Sequence, residues 1–294
     1  MLEFKDFSIK DKELFDRYLL PYRFETSTYT FTTLLVWRKA CEIQYAIYKD
    51  ALIMKRMGHD GTTTFMQPLG YRKEDLRDIV RELKAYKAEN RMDYLLKDIE
   101  EPFAAEFREV FGDEFLIEED RDNFDYIYER DKLVSLSGKI LHKKKNHYNY
   151  FVKNYDYQDF RITPDNVDPI VEAAKNWCKR HSCRGYLLYE LRSIIELLNN
   201  LDRLNLIGMA VSANGGIVAF TIGERVSSDT AIIHVEKADS EVRGAYNYVN
   251  RAFADKYLEG ITWVNREEDM GIEGLRHAKM SYAPAKFGKK YSIK

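Results

Sequence analysis

Residues 98–131 hold fourteen Asp or Glu against three Arg and no Lys, and the sign then reverses at once. From Lys132 to Asn154 there are six Lys and two His with no carboxylate. A reversal this abrupt marks either an inter-domain connection or a solvated face docked on a basic one. Length favours a division, because 294 residues exceed what one hydrophobic core usually organises. A boundary near Asp131 gives two domains, 1–131 and 132–294.

The bulk composition narrows the functional class by exclusion. Net charge is −2, so no global field recruits nucleic acid or an anionic membrane, although the local basic run from Lys132 remains. The opening residues from Leu2 carry acids early and no apolar core, unlike a signal peptide. The apolar stretch Leu206–Gly223 is interrupted by Ser212, Asn214, Gly215 and Gly216. It reads as two buried strands around an Asn-Gly turn, not a membrane-spanning helix. Cys41, Cys178 and Cys183 form no C-x-x-C pair and no common zinc spacing, so no metal site is expected. Reduced thiols in a cytoplasmic protein are the expectation.

Periodicity organises both halves in a similar order. In the first, Ile43–Tyr48 and Ala51–Met57 flank Lys49-Asp50 as a hairpin. Lys73–Glu89 then carries Leu76, Ile79, Val80 and Leu83 at helical spacing, followed by a strand at Tyr94–Lys97 and a helix at Phe103–Phe111. In the second, a basic helix over Gly138–Tyr155 precedes a strand at Tyr157–Ile162 and helices at Asp165–His181 and Tyr186–Leu201. A hairpin (206–211, 217–222), the strand Thr230–Lys237 and the helix Ala245–Leu258 follow. A strand at Ile261–Val264, a helix at Gly271–Ser281 and a strand at Lys289–Ile293 complete it. The class is α/β (α+β), with mostly antiparallel mixed sheets flanked by helices.

Four segments concentrate chemistry, each with a structural reading beside the functional one. In the strand Thr230–Lys237, His234 and Glu236 share a face, which suits a proton-transfer pair or a hydrogen-bonded strand His beside a solvated Glu. The turn before helix 245–258 carries Arg243-Gly244, a cation and a close backbone approach suited to phosphate, or simply a turn. The run 265–282 begins where a strand ends, the end at which open α/β sheets place ligands. There Asn265 and Glu268 border the turn, and Asp269 is either a base or the cap of the helix from Gly271. Arg276 and Lys279 form a two-cation ridge suited to an anion, and Tyr282 is a candidate general acid. In the basic helix Lys143, Lys144, Asn146 and His147 interleave with aromatics, suiting a nucleic-acid backbone or docking on the acidic stretch.

Two of these segments resemble a known family. His142–His147 is similar to a "KKRNH" helix, and Asn265–Pro284 matches N-x-E-x-D-x-G-x-x-G-L-R-x-x-K-x-S-x-x-P. Both belong to the family related to the C-terminal domain of phosphatidylglycerol lysyltransferase (DUF2156). The resemblance implies two tandem GNAT-like acyltransferase domains, the second carrying the site, and kinship with Fem-type enzymes that take an aminoacyl group from charged tRNA. It implies aminoacyl-tRNA as donor rather than coenzyme A, with tRNA as a partner and a small-molecule, lipid or peptide acceptor. The alternatives are a ligand- or RNA-binding module on a degenerate transferase fold, or an acetyl-CoA-dependent N-acetyltransferase.

Overall fold

A computed structural model describes residues 2–58 and 61–294, with the side chain of Tyr186 left aside. The chain forms two compact units, one of Met1–Phe124 with Gly288–Lys294 and one of Asp125–Phe287. The division thus falls before the charge reversal, and the last residues return to the first unit. The expected limits 1–131 and 132–294 differ from this at both ends, because strand pairing rather than charge decides membership.

In the first unit the sheet strands are β1 (Gln44–Tyr48), β2 (Ala51–Met57), β3 (Thr63–Phe65), β4 (Leu96–Ile99) and β5 (Ile117–Glu119). Its helices are α1 (Lys12–Leu19), α2 (Phe31–Trp37), α3 (Leu76–Glu89) and α4 (Glu101–Phe111). The β1–β2 turn puts both Lys49 and Asp50 at positive φ, the twist a two-residue hairpin needs. Leu76, Ile79, Val80 and Leu83 of α3 are all buried, as their spacing predicts, and pack with Phe65, Leu96 and Phe107.

The second unit runs β6 (Asp125–Glu129), α5 (Arg130–Ser135), α6 (His142–Asn154), β7 (Tyr157–Ile162), α7 (Val167–Arg180) and α8 (Tyr186–Leu198). It continues β8 (Ile207–Ala213), β9 (Gly216–Arg225), β10 (Thr230–Ala238), α9 (Ala245–Tyr257), β11 (Trp263–Asn265), α10 (Glu273–Met280) and β12 (Lys286–Gly288), while β13 (Tyr291–Ile293) joins the sheet of the first unit. Among the described residues the strand orders are β1-β2-β3-β4-β13-β5 and β12-β6-β11-β10-β9-β8-β7. The pairs β3–β4 and β10–β11 are parallel, whereas β1–β2, β2–β3, β4–β13, β13–β5, β6–β11, β10–β9, β9–β8 and β8–β7 are antiparallel.

Two expectations need correction. The acidic stretch contains β6, whose Asp125–Tyr128 are buried next to β11. A strand so rich in polar groups can be internal because each finds a partner: Asp125 accepts from Asn265 Nδ2 at 2.7 Å, Tyr126 donates to Asp269, and Tyr128 donates to the Lys279 carbonyl at 2.8 Å. Cys178 and Cys183, expected reduced, form a disulfide. The Cys183 amide donates to the Cys178 carbonyl as α7 ends, and this turn brings the two Cα atoms to 5.1 Å, within bridging distance. Cys41 is buried and takes no part in this disulfide. No helix of the described residues is long and apolar enough to cross a membrane.

Candidate active site

The second sheet opens where its parallel strands part. β10 and β11 pair only from Thr230 to Ile232 against Trp263 to Asn265, while β10 continues to Ala238. Past Asn265 the chain turns away, with Glu267 and Met270 at positive φ. The register against β9 also slips between Ile233 and Val235, so His234 sits in a β-bulge. Polar side chains fill the resulting gap.

His234 and Glu236 do not form the expected pair, because the bulge sends them to different partners. The His234 imidazole bridges two carboxylates, Nε2 to Glu224 and Nδ1 to Glu267, each at 2.9 Å. Burial opposes its charging, but the hydrogen bonds and charges of Glu224 and Glu267 prevail and raise its pKa to about 10. His234 is therefore an imidazolium at neutral pH and no proton acceptor.

Glu236 instead accepts from Arg266 Nη2 at 2.7 Å and from Asn250 Nδ2 of α9 at 2.9 Å. Arg266 lies over the ring of Tyr282, its guanidinium carbon 4.8 Å from the centroid, and faces Tyr128 at 5.5 Å. Tyr282 accepts at its hydroxyl from Asn247 Nδ2 at 2.8 Å, which leaves the phenolic hydrogen to donate elsewhere. Burial pushes Tyr282 up to about 12, against the pull of Arg266. Lys144 reaches in from α6, its Nζ 4.4 Å from the Tyr282 centroid. Its pKa is lowered by burial and by the charges of Arg266 and Lys143.

Two buried atoms of this cluster have no hydrogen-bond partner, Arg266 Nη1 and Asn250 Oδ1. A carboxylate only accepts, so the Asn250 amide must turn its nitrogen to Glu236 and its oxygen away. Glu236 is thus flanked by one open donor and one open acceptor.

The segment from Asn265 to Tyr282 shapes the rim of this centre. Asn265 is fully buried and accepts from the Glu267 amide at 2.7 Å, fixing the turn. Asp269 is also fully buried. It takes two hydrogen bonds of 2.8 Å from Arg276, one from the Gly271 amide and one from Tyr126. Burial would raise its pKa, but Arg276, Tyr126 and the Gly271 amide hold it below the ordinary range. It thereby closes the turn at Gly271, but it is not the helix cap expected: α10 begins at Glu273, with Ile272 at the N-cap and no side-chain cap. Arg276 and Lys279 do not form an anion-binding ridge: Asp269 grips Arg276 from both ends of its carboxylate, and Lys279 Nζ donates to the carbonyls of Arg266 and Glu267. Burial lowers the Lys279 pKa, opposed by Glu267 and by the half-buried Glu268.

On α6, Lys143 and Asn146 are exposed, while Lys144 and His147 lie on the partly buried side. Burial and the neighbouring charges of Arg243, Lys143 and Lys144 lower the His147 pKa, keeping it neutral. Gly244, at φ 89°, begins α9 directly beneath α6, where a Cβ would stand 2.2 Å from the His147 carbonyl oxygen. Its lack of a side chain serves helix packing and not the expected phosphate cradle. Arg243 stacks on Tyr150, guanidinium carbon to centroid 4.2 Å.

Arg266, Asn247, Asn250, Glu224 and Glu267 lie outside the residues that sequence alone brings forward. Asn247 and Asn250 had a signal: two amides three apart on a helix whose neighbours Tyr248, Val249 and Phe253 are buried. Arg266 had none, since its partners come from β10 and α9.

A family model described as "Phosphatidylglycerol lysyltransferase, C-terminal" matches residues 21–294. The chain belongs to this family. A conserved protein of unknown function from Bacteroides thetaiotaomicron is 33% identical, with a TM-score of 0.87 over 100% of this chain and 99% of its own. The DUF2156 C-terminal domain of a putative lysylphosphatidylglycerol synthetase from Agrobacterium fabrum is 14% identical, TM-score 0.66, over 97% of this chain and 91% of its own. FemX (8%, 0.56, 99% and 95%) and a tandem GNAT protein from the clavulanic acid biosynthesis pathway (11%, 0.51, 100% and 97%) share the fold. This fold is a tandem of GNAT-like acyltransferase domains. An uncharacterised protein of Mycoplasmoides gallisepticum is 28% identical over 186 residues, 61% of this chain. The match spans 58% of that relative's length.

Proposed function

We propose that this chain moves an aminoacyl group from charged tRNA to an amine or hydroxyl acceptor, with the reacting centre between β10 and β11. The observation that carries this reading is the pair of open atoms flanking Glu236. An acyl carbonyl offers only an acceptor, which suits Arg266 Nη1. An aminoacyl ester also offers N–H groups from its α-amine, which suit Asn250 Oδ1, and a simple acetyl group has no such donor. The family description, naming a lysyl group and a phosphatidylglycerol acceptor, supports the same reaction class. Coenzyme A fits less well, because α6 packs on the start of α9 at Gly244.

In this reading the acceptor nitrogen or oxygen attacks the ester carbonyl carbon and passes its proton to Glu236. Arg266 stabilises the oxyanion as the tetrahedral intermediate forms, inside a site where a fixed charge acts at low dielectric. The carbon–oxygen bond to the ribose then breaks, Tyr282 donates its proton to the leaving oxygen, and the proton on Glu236 restores the phenol. Lys144 adds positive charge beside the oxyanion. His234, Asn265, Asp269, Arg276 and Lys279 hold the turn that carries Arg266. Lys143, Asn146, His147 and Arg243 lie on or against α6, where the tRNA phosphates would run.

The test offers purified protein a set of charged tRNAs and follows release of the amino acid. Loss faster than spontaneous hydrolysis, abolished in Glu236→Gln, supports the reading. No release above the spontaneous rate with any charged tRNA, with or without glycerol-bearing or amine acceptors, ends it.

A further inference from the structure

The second unit has a cavity of about 910 Å³, which the acyl-transfer reading does not use. It lies between α7, the β8–β9 turn and the end of β10. The size falls at the upper end of what small-molecule sites enclose. Ala213, Ile217, Ala219 and Phe220 supply an apolar side from the sheet, and Pro169 and Ala173 face them from α7.

One wall is aromatic and basic. Trp177 and His181 stack with centroids 4.1 Å apart and planes 20° apart, and Lys237 Nζ stands 4.0 Å from the indole. Arg180 completes the wall, pairing with Asp239 through one Nη1 contact while over half its side chain stays exposed. A guanidinium carries five N–H donors, so several remain for a ligand. Lys237 is held by Glu190 at 2.8 Å and only adds charge from behind. The Cys178–Cys183 disulfide closes the turn bearing Arg180 and His181, which fixes this wall before any ligand arrives. Opposite lie Gly215 and Gly216, where an added Cβ would meet open space, so a flat ring can approach the backbone. Asp156 and Glu172, also lining the cavity, repel an anion and direct it to the Arg180 end.

We propose that this cavity binds a planar ring bearing an anionic group, of the nucleotide kind, with the ring against the Trp177–His181 stack and the anion at Arg180. The proposal does not depend on the acyl-transfer reading, because none of these side chains belongs to the Glu236 centre. It is tested by tryptophan fluorescence of the full chain titrated with AMP, adenosine and inorganic phosphate. AMP should quench saturably, adenosine should bind at least tenfold more weakly, and phosphate alone should leave the signal unchanged. Arg180→Gln should raise the Kd for AMP about tenfold, the loss of one charge-assisted contact. His181→Ala should weaken AMP and adenosine alike, and both variants should keep the wild-type melting temperature. Absence of saturable quenching at millimolar AMP overturns the proposal. So does an AMP affinity unchanged in folded Arg180→Gln, or equal affinity for adenosine and AMP.

Discussion

In each unit a pair of parallel strands parts, β3–β4 in the first and β10–β11 in the second, and the two openings are treated in opposite ways. In the first, β3 and β4 pair only at Phe65 with Leu96. The gap is sealed by the chain's own segment 25–29. Glu100 accepts from the Glu25 and Thr26 amides at 3.2 and 2.7 Å, while its own amide donates to Gln67 Oε1 at 3.0 Å. Tyr29 donates to the Asp98 carbonyl at 2.9 Å and accepts from the Gln67 amide at 3.1 Å. Polar groups here answer one another through the main chain, and the unmatched atom among them, Thr26 Oγ1, belongs to a neutral hydroxyl. In the second opening the unmatched atoms belong to an arginine and an asparagine that share one carboxylate. The same strand geometry serves as a structural plug in one unit and as an incomplete polar centre in the other.

The sharpest way to test that contrast is to remove the open donor. Arg266→Met should lower turnover by about 10²- to 10³-fold, the usual effect of losing an oxyanion-stabilising group. It also leaves Glu236 buried without its cation, at a cost of about 3–5 kcal/mol in stability. Arg266→Met combined with Glu236→Gln should recover most of that stability and no activity. Activity persisting in folded Arg266→Met would assign the chemistry elsewhere.

A second test uses pH, because His234 has no counterpart in the first opening. Its folded pKa, about 10, lies above the ordinary 6.5, so its two ion pairs contribute fully below about 6.5. That contribution declines as pH rises from there towards 10, and on the order of a few kcal/mol is at stake for a buried group of this kind. Denaturant midpoints for the second unit should therefore fall over this range, and His234→Gln should flatten the profile. A wild-type profile as flat as the variant's would remove His234 as the clamp on Glu267. Tyr29, the ionisable phenol in the first opening, is held well above its usual value by burial and does not titrate there.

The legible and illegible parts of the sequence follow the same physics. Elements set by local periodicity were readable: the β1–β2 hairpin, α3, α7 and the β8–β9 hairpin all lie within a few residues of where spacing puts them. β6 was not, because Asp125 and Glu129 bracket the apolar run and make it look solvated until Asn265 and Asp269 arrive from far along the chain to meet Asp125 and Tyr126. The site was half legible. Glu236 and Tyr282 of the proposed centre stand out by position and type, whereas a one-residue bulge, invisible in sequence, separates His234 from Glu236. The apparent cation ridge Arg276/Lys279 failed for a related reason. Helical spacing says which side chains are neighbours, not that a buried Asp269 and two carbonyls will already hold them.

Gly244 offers an intermediate perturbation. Alanine there would need the Cβ to displace the His147 carbonyl and the residue to keep φ 89°, so about 1–3 kcal/mol should be lost as α6 shifts. Because α6 also carries Lys144 over Tyr282, turnover should fall alongside stability. Gly138, at φ 96° but with open space around its Cβ position, gives the matched control: Gly138→Ala should cost only the backbone strain and leave turnover intact. Equal effects of the two would detach α6 packing from the site.

The mildest test addresses the plug. Tyr29→Phe keeps the buried ring, stacked 4.5 Å from Phe24, and removes one hydroxyl that both donates to Asp98 and accepts from Gln67. The loss leaves a buried carbonyl and a buried amide without that partner, so stability should drop by about 1–3 kcal/mol by chemical denaturation. Turnover per folded molecule should not change, since a sealed opening has no step to lose. If Tyr29→Phe instead lowers turnover while the fold stays intact, the first opening takes part in the reaction. The contrast between plug and centre would then give way to two cooperating sites.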